Sequence, residues 1–480
     1  MDGPLDSSYR DPSGFVFTRS GVLYRQVNRV FAEQFDAVTG SGLYEELARQ
    51  RLLIPHRQVS IELAATDDAA AVLEPEPVRF ISYPYEWSFS QLRDSALLTL
   101  DIQERALARG MTLRDASAYN IQFHGGRPIF IDTLSFEPRS GSAPWTAYRQ
   151  FCEHFIVPLA LMSRVDIELG SLLRTHLEGV PLELGATLLG RRSWRSLGLL
   201  FHVQLHAAAQ RRYRDRPPTA ATSRRGMTTQ AVIGLVRSLR GLISRLTWKA
   251  GGTEWADYTT DNNYTVQATA AKRDLVTAML REGGVTRTVW DLGANTGEYS
   301  RAARALAEQV IAFDIDPAAV ERNYLRARAE DEHGILPLRM DLTNPSPALG
   351  WAHRERLSLE QRGPADALLA LALVHHLAIG HNLPLDRIAA HFARLGRRLI
   401  IEFVPKTDSQ VQRMLRARPD IFPHYTRDGF EAAFRTRFRI DTARPVPDSE
   451  RILYSMTAIE AASPARVGRP AGQDRGEPTT

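Results

Sequence analysis

Val289-Trp290-Asp291-Leu292-Gly293-Ala294-Asn295-Thr296-Gly297-Glu298-Tyr299 leaves an apolar run, turns through small residues and enters a helical stretch. Small residues let a backbone approach a ligand closely, and glycine tolerates positive φ. The turn lacks the central glycine of the dinucleotide fingerprint and has Asn295 in its place. Asparagine is among the few other residues that accept a left-handed conformation, so the turn survives. Asp291, just before it, suits a cationic ligand and would repel a pyrophosphate.

Working outward, apolar runs at 288–292, 310–314, 335–340, 366–371 and 398–403 alternate with helical stretches. This predicts a parallel sheet with helices on both faces. Runs 436–441 and 451–458 have no helix between them, as expected of an antiparallel pair closing the sheet edge. Asp314 ends the second run about 20 residues after the turn, the place of an acceptor for ribose hydroxyls. Asp341 ends the third, where a carboxylate can accept from an adenine amino group.

Taken together these residues resemble the motifs of class I S-adenosylmethionine-dependent methyltransferases. The resemblance implies a Rossmann-like α/β fold with a seven-stranded, mostly parallel sheet over 253–462. It implies S-adenosyl-L-methionine as cofactor, with Asp291, Gly293, Asn295 and Gly297 around its methionine part, Asp314 at the ribose and Asp341 at the adenine. The whole chain also resembles bacterial two-part methyltransferases, some of them associated with nodulation. The stretches that carry this are Tyr83–Trp87, Asp115–Asn120 through Asp132, and Ile401–Lys406. No defined methyl acceptor comes with it.

Methyl transfer is an in-line displacement that needs an aligned nucleophile and, for some acceptors, a base. His375 and His376 follow the fourth run and are candidates for that base, or for packing at the site mouth. The turn there lacks the Asn/Asp-Pro-Pro-aromatic sequence of amino-methylating enzymes, and Cys152 lies outside the unit, so no cysteine serves C5 chemistry. An oxygen or undemanding nitrogen acceptor is expected, with no metal. Glu402 and Lys406 flank the fifth run as substrate-side candidates or as a mutual ion pair. Tyr258 and Tyr264, beside Trp255 and Asn263, stand where an aromatic lid would cover a sulfonium, or where aromatics would fill a core.

The preceding half, 1–206, reads as α+β: a hairpin over 14–30 about Ser20-Gly21, helices at 42–53 and 88–109, short strands at 121–123 and 129–131, then helices. Asp115 and Asn120 have the D-x-x-x-x-N spacing of a kinase catalytic loop, followed by Asp132, so the half resembles a kinase scaffold. No lysine precedes Lys249 to pair with ATP phosphates, and Asp132-Thr133-Leu134 departs from the usual metal-binding triplet. An Asx-turn accounts for the same residues.

A basic segment, 207–252, joins the halves. Within it, 229–249 forms an amphipathic helix, with Val232, Leu235, Val236, Leu239, Leu242, Ile243 and Leu246 facing Arg237, Arg240, Arg245 and Lys249. It is expected to cover the methyltransferase unit; contact with nucleic acid or a membrane surface is the alternative. Residues 463–480 are expected to be a disordered tail.

At 480 residues, with 44% hydrophobic and 24% charged, the chain is large enough for two cores. Sixty Lys and Arg against 55 Asp and Glu leave only +5, too little to indicate nucleic-acid binding by net charge. No signal sequence or bilayer-length apolar run is present, so a cytoplasmic location is expected. Two further functions stay open from sequence: an RNA methyltransferase using 207–252, and a bifunctional or regulatory protein whose kinase-like half binds nucleotide. Composition says nothing about oligomeric state.

Overall fold

The structure is a computed structural model that describes residues 2–213, 226–251, 266–285, 287–416 and 419–459. Residues 214–225 of the expected linker, the aromatic segment with Tyr258 and Tyr264, and the tail 463–480 lie outside the described residues.

The C-terminal half is built on seven strands: β1 (Thr288–Leu292), β2 (Gln309–Asp314), β3 (Ile335–Arg339), β4 (Ala365–Ala370), β5 (Gly396–Phe403), β6 (Phe438–Pro445) and β7 (Ile452–Ala458). Their order is β3-β2-β1-β4-β5-β7-β6. The first five are parallel, with Val289 opposite both Val310 and Ala367, and β7 runs antiparallel to β5 and β6. Central strands of such a sheet are covered on both faces, which is why β1 and β2 are almost wholly buried and read as unbroken apolar runs. The order reverses between β1 and β4, which opens a crevice at the carboxyl ends of the strands.

The N-terminal half contains a five-stranded antiparallel sheet. Its hairpin pairs Gly14–Arg19 with Val22–Asn28 through Ser20 and Gly21, both at positive φ as a two-residue turn requires. The long helix α1 (Phe89–Ala108) starts at a capping box, where Ser88 and Gln91 exchange side-chain-to-backbone bonds.

Helix α2 (Thr229–Arg245) buries Val232, Val236, Leu239, Leu242 and Ile243, so the apolar stripe is covered as its periodicity requires. The cover differs from expectation. Among the described residues the helix packs along α1 of the N-terminal half, with Leu242 against Gly198, and not chiefly on the C-terminal half. Amphipathicity states that a face is buried and leaves the partner undetermined. Arg237 and Arg240 of the polar face both reach the single carboxylate of Glu104 on α1. Deleting 227–247 should therefore uncover the N-terminal half, at about 25 cal/mol per Å² of apolar area. The expected result is a lower melting temperature for the full-length remainder; unchanged melting would show that α2 adds nothing to the core.

The two halves share one apolar core. Phe80 of the N-terminal half sits edge-on against Trp290 of β1 and Phe313 of β2, with ring centroids 5.6 and 6.0 Å away. Beside it the segment Tyr83–Trp87 forms the seam. Glu86 receives two bonds from Arg362, at 2.6 and 2.9 Å, with both side chains almost completely buried. Ser346 donates to the same carboxylate, and the Leu357 amide donates to the Tyr83 hydroxyl. Further along, Ser90 donates twice to Glu321, and Gln91 donates to the Pro337 carbonyl of β3.

Candidate functional site

Strand β1 delivers Asp291 to the crevice, and the chain then turns through 293–297 into α4 (Glu298–Arg304). Gly293 and Gly297 have φ of +77° and +82°, and Asn295 takes the left-handed φ of 48° that its residue type allows. Gly297 is required twice over, since a Cβ there would lie 2.5 Å from the amide of buried Asn323 on α5 (Pro317–Ala329). The turn is tied to β2: the amides of Gly293 and Ala294 both donate to the Phe313 carbonyl, and the Asn295 amide donates to Asp314 at 2.7 Å. Asp314 also accepts from the Asp316 amide at 2.9 Å. Arg301 closes the far side, donating to the carbonyls of Thr296 and Gly297 and to Asn323.

Asp291, Gly293, Asn295, Gly297 and Asp314 thus form one connected unit. Asp341 adjoins it through the Met340 amide, which donates to the Asp314 carbonyl. Its half-buried carboxyl accepts from the amide and hydroxyl of Thr343 in its own turn.

Burial pushes the Asp291 carboxyl up to about 7, Ser300 draws it back by donating at 2.6 Å, nearby Asp314 raises it and Lys272 lowers it. Burial likewise pushes Asp314 up to about 6 against its backbone donors. Both start from 3.8. The fold therefore favours their protonated forms, and this contribution to stability is complete below about pH 4 and lost as the pH rises to about 7. The imidazoles act in the other direction: burial holds His375 far below its ordinary value and His376 at about 4, so their contribution is present above 6.5 and lost as the pH falls. Asp291→Asn keeps an acceptor for Ser300 and removes the titration. Its melting temperature relative to wild type should rise between pH 4 and pH 8; a difference independent of pH would refute the raised carboxyl.

His375 is buried, its ring 4.1 Å from that of His376, and neither of its ring nitrogens has a hydrogen-bond partner among the described residues. An unsatisfied buried polar group costs about 1–3 kcal/mol. Close by, Glu402 is completely buried and accepts from Lys272 Nζ and the Ala372 amide, each at 2.7 Å. Arg451 stands 3.9 Å from the same carboxylate and donates to Asp408 at 2.7 Å.

The expected alternative of a Glu402–Lys406 ion pair is therefore incorrect. Lys406, three residues beyond the end of β5, turns away to Asp420 and the Phe422 carbonyl, and Lys272 on α3 (Val266–Glu282) takes its place at Glu402. Lys272, Arg451, Ser300 and Asn323 escaped the sequence reading. For Lys272 a signal existed: it is one of three lysines among 60 basic residues.

In the N-terminal half, Asp132 is ion-paired with Arg25 of the antiparallel sheet and accepts from Ser135, which in turn accepts from Asn120 at 3.2 Å. Burial raises the Asp115 carboxyl, with Asp132 adding to the effect. Burial opposes the charge on Asp132 too, but Arg25 and Ser135 hold it below the usual carboxylate value.

A curated relative, the nodulation protein NoeA of Rhizobium meliloti (strain 1021), is 37% identical over 464 residues, covering 95% of this chain and 97% of its own. The chain belongs to the NoeA family. The match runs through both halves. No general family model matches the chain. Among solved structures, the N-methyltransferase NodS of Bradyrhizobium japonicum WM9 is 10% identical over 42% of this chain and 99% of its own, with a TM-score of 0.30. The magnesium protoporphyrin IX methyltransferase ChlM of Synechocystis PCC 6803, solved with bound SAH, is 20% identical over 42% of this chain and 93% of its own, with a TM-score of 0.29.

Proposed function

We infer that the chain is an S-adenosylmethionine-dependent methyltransferase acting on an oxygen or nitrogen acceptor. The observation that carries this reading is the Asp314 carboxylate, which ends β2 and at the same time holds the Asn295 amide of the turn. A ribose diol and a methionine chain would be held by one connected unit, and its acid-rich lining suits a cationic ligand. When bound, the cofactor supplies an electrophilic methyl group on a sulfonium. Asp314 accepts the ribose hydroxyls, Asp341 the adenine amino group, and the turn 293–297 leaves room for the methionine chain, with Asp291 behind it. His375 keeps a neutral imidazole whose unprotonated nitrogen, without a partner among the described residues, receives a hydrogen bond from the acceptor's O–H or N–H, aligning the acceptor's lone pair with the methyl.

Calorimetric titration of the full chain with S-adenosylhomocysteine tests the reading; no heat and no rise in melting temperature at millimolar ligand would end it. His375→Asn should lower turnover at least tenfold, about 1.4 kcal/mol of transition-state stabilisation, with cofactor affinity nearly intact. Loss of affinity with unchanged saturated turnover would make His375 a packing residue. Labelled-methyl transfer into cell extract would then identify the acceptor.

The convergence of Asp115, Asn120 and Asp132 favours a second reading, that the N-terminal half binds nucleotide. Arg25 takes the cationic place beside Asp132 that a lysine would fill. Magnesium-dependent ATP binding by the full chain supports this reading, and its absence removes it.

A further inference from the structure

In the N-terminal half, the helical stretch that follows Ser196 is anchored by its inner side. Leu199, Val203 and Ala207 are buried, and His202 is bonded to Tyr148 and Ser238. Its outer side is different. Trp194, Leu197, Phe201 and Leu205 are 74%, 73%, 58% and 50% exposed. Steps of four residues place Leu197, Phe201 and Leu205 in one row along this stretch, while Trp194 precedes it in a short turn, beyond the extended Ser196, and borders the same groove as Gln204 and Arg211. The other exposed large apolar side chains among the described residues are scattered along the chain, as is ordinary for a surface.

The charged residues along this stretch have one sign. Arg191, Arg192 and Arg211 are exposed beside it, and Arg191, Trp194, Gln204 and Arg211 border one shallow groove. The sequence from 184 to 213 contains no Asp or Glu. A second copy packed on the row would bring arginine against arginine, which opposes self-association. Exposed Trp, Phe and Leu beside arginines are the composition of an element that lies in the headgroup region of a bilayer. We propose that Trp194, Leu197, Phe201 and Leu205 dock this protein on the surface of a bilayer containing anionic phospholipid, with Arg191, Arg192 and Arg211 at the headgroups. The proposal is independent of the methyl-transfer reading.

Flotation of the full chain with vesicles tests it. Binding should be strong on phosphatidylcholine containing about one-third phosphatidylglycerol, weak on phosphatidylcholine alone, and reduced by salt. Leu197→Ser with Phe201→Ser should weaken it about a hundredfold, at about tenfold for each apolar side chain withdrawn. Arg191→Gln with Arg192→Gln should weaken it about 25-fold. Melting should not change, because these side chains are exposed. Quenching of tryptophan emission by brominated lipid, lost in Trp194→Phe, reads the contact even if the serine variants fold poorly. The proposal is overturned by absence of flotation at low salt, by flotation or quenching indifferent to these substitutions, by a dimer that the serine pair dissociates, or by RNA binding that the arginine pair weakens while vesicles are ignored.

Discussion

Asp314→Ala is expected to remove measurable cofactor binding. A carboxylate accepting from two ribose hydroxyls contributes about 1.5–3 kcal/mol through each charge-assisted bond, so losing both lowers affinity by roughly two to four orders of magnitude. The structure adds a second route to the same result. Asp314 also fixes the Asn295 and Asp316 amides, so alanine loosens the turn that would receive the methionine chain. Asp314→Asn weighs the two unequally, because its one carbonyl oxygen can keep the Asn295 amide of the turn while the charge and the acceptor for Asp316 are lost. Calorimetry on both variants, with melting curves to confirm folding, should show alanine worse than asparagine and both worse than wild type. An unchanged dissociation constant in both would take Asp314 out of the site.

The largest stability effect is expected at Lys272. Lys272→Met leaves the Glu402 carboxylate buried beside Arg451 without its closest cation, and breaking a buried pair in this way costs about 3–5 kcal/mol. Glu402→Gln added to Lys272→Met should recover much of that loss, since the remaining carbonyl still accepts from the Ala372 amide. Denaturant unfolding of the two single variants and the double variant gives the coupling energy. Purely additive losses would mean that the contact contributes no stability of its own.

The sheet was legible because its information is local. Strands β1, β2, β3 and β5 are short, largely apolar runs followed closely by, or ending in, Gly, Asp or Pro, and the Asp291–Gly297 turn and the acid at Asp314 fall at strand ends where their spacing placed them. The antiparallel pair at the edge was legible for the same reason, since no helix fits between 445 and 452. What escaped depends on pairs far apart in the chain. Lys272 and Glu402 are 130 residues apart, and nothing near either one signals the other. The partner of α2 was misjudged because periodicity marks the buried face and carries no address. Tyr83–Trp87 stood out as a motif, yet its task at the seam is unreadable without Arg362 and Leu357 on the far side.

That seam also bears on how such a protein can change over generations. Glu86 and Arg362 each bury a charge that only the other half neutralises, and Phe80 completes an aromatic cluster whose remaining rings belong to β1 and β2. Exchange of the methyltransferase unit with that of a distant relative would leave an orphaned carboxylate on one side and an orphaned guanidinium on the other, a larger penalty than most surface divergence carries. Such a seam lets the halves drift at their edges and favours their inheritance as a pair.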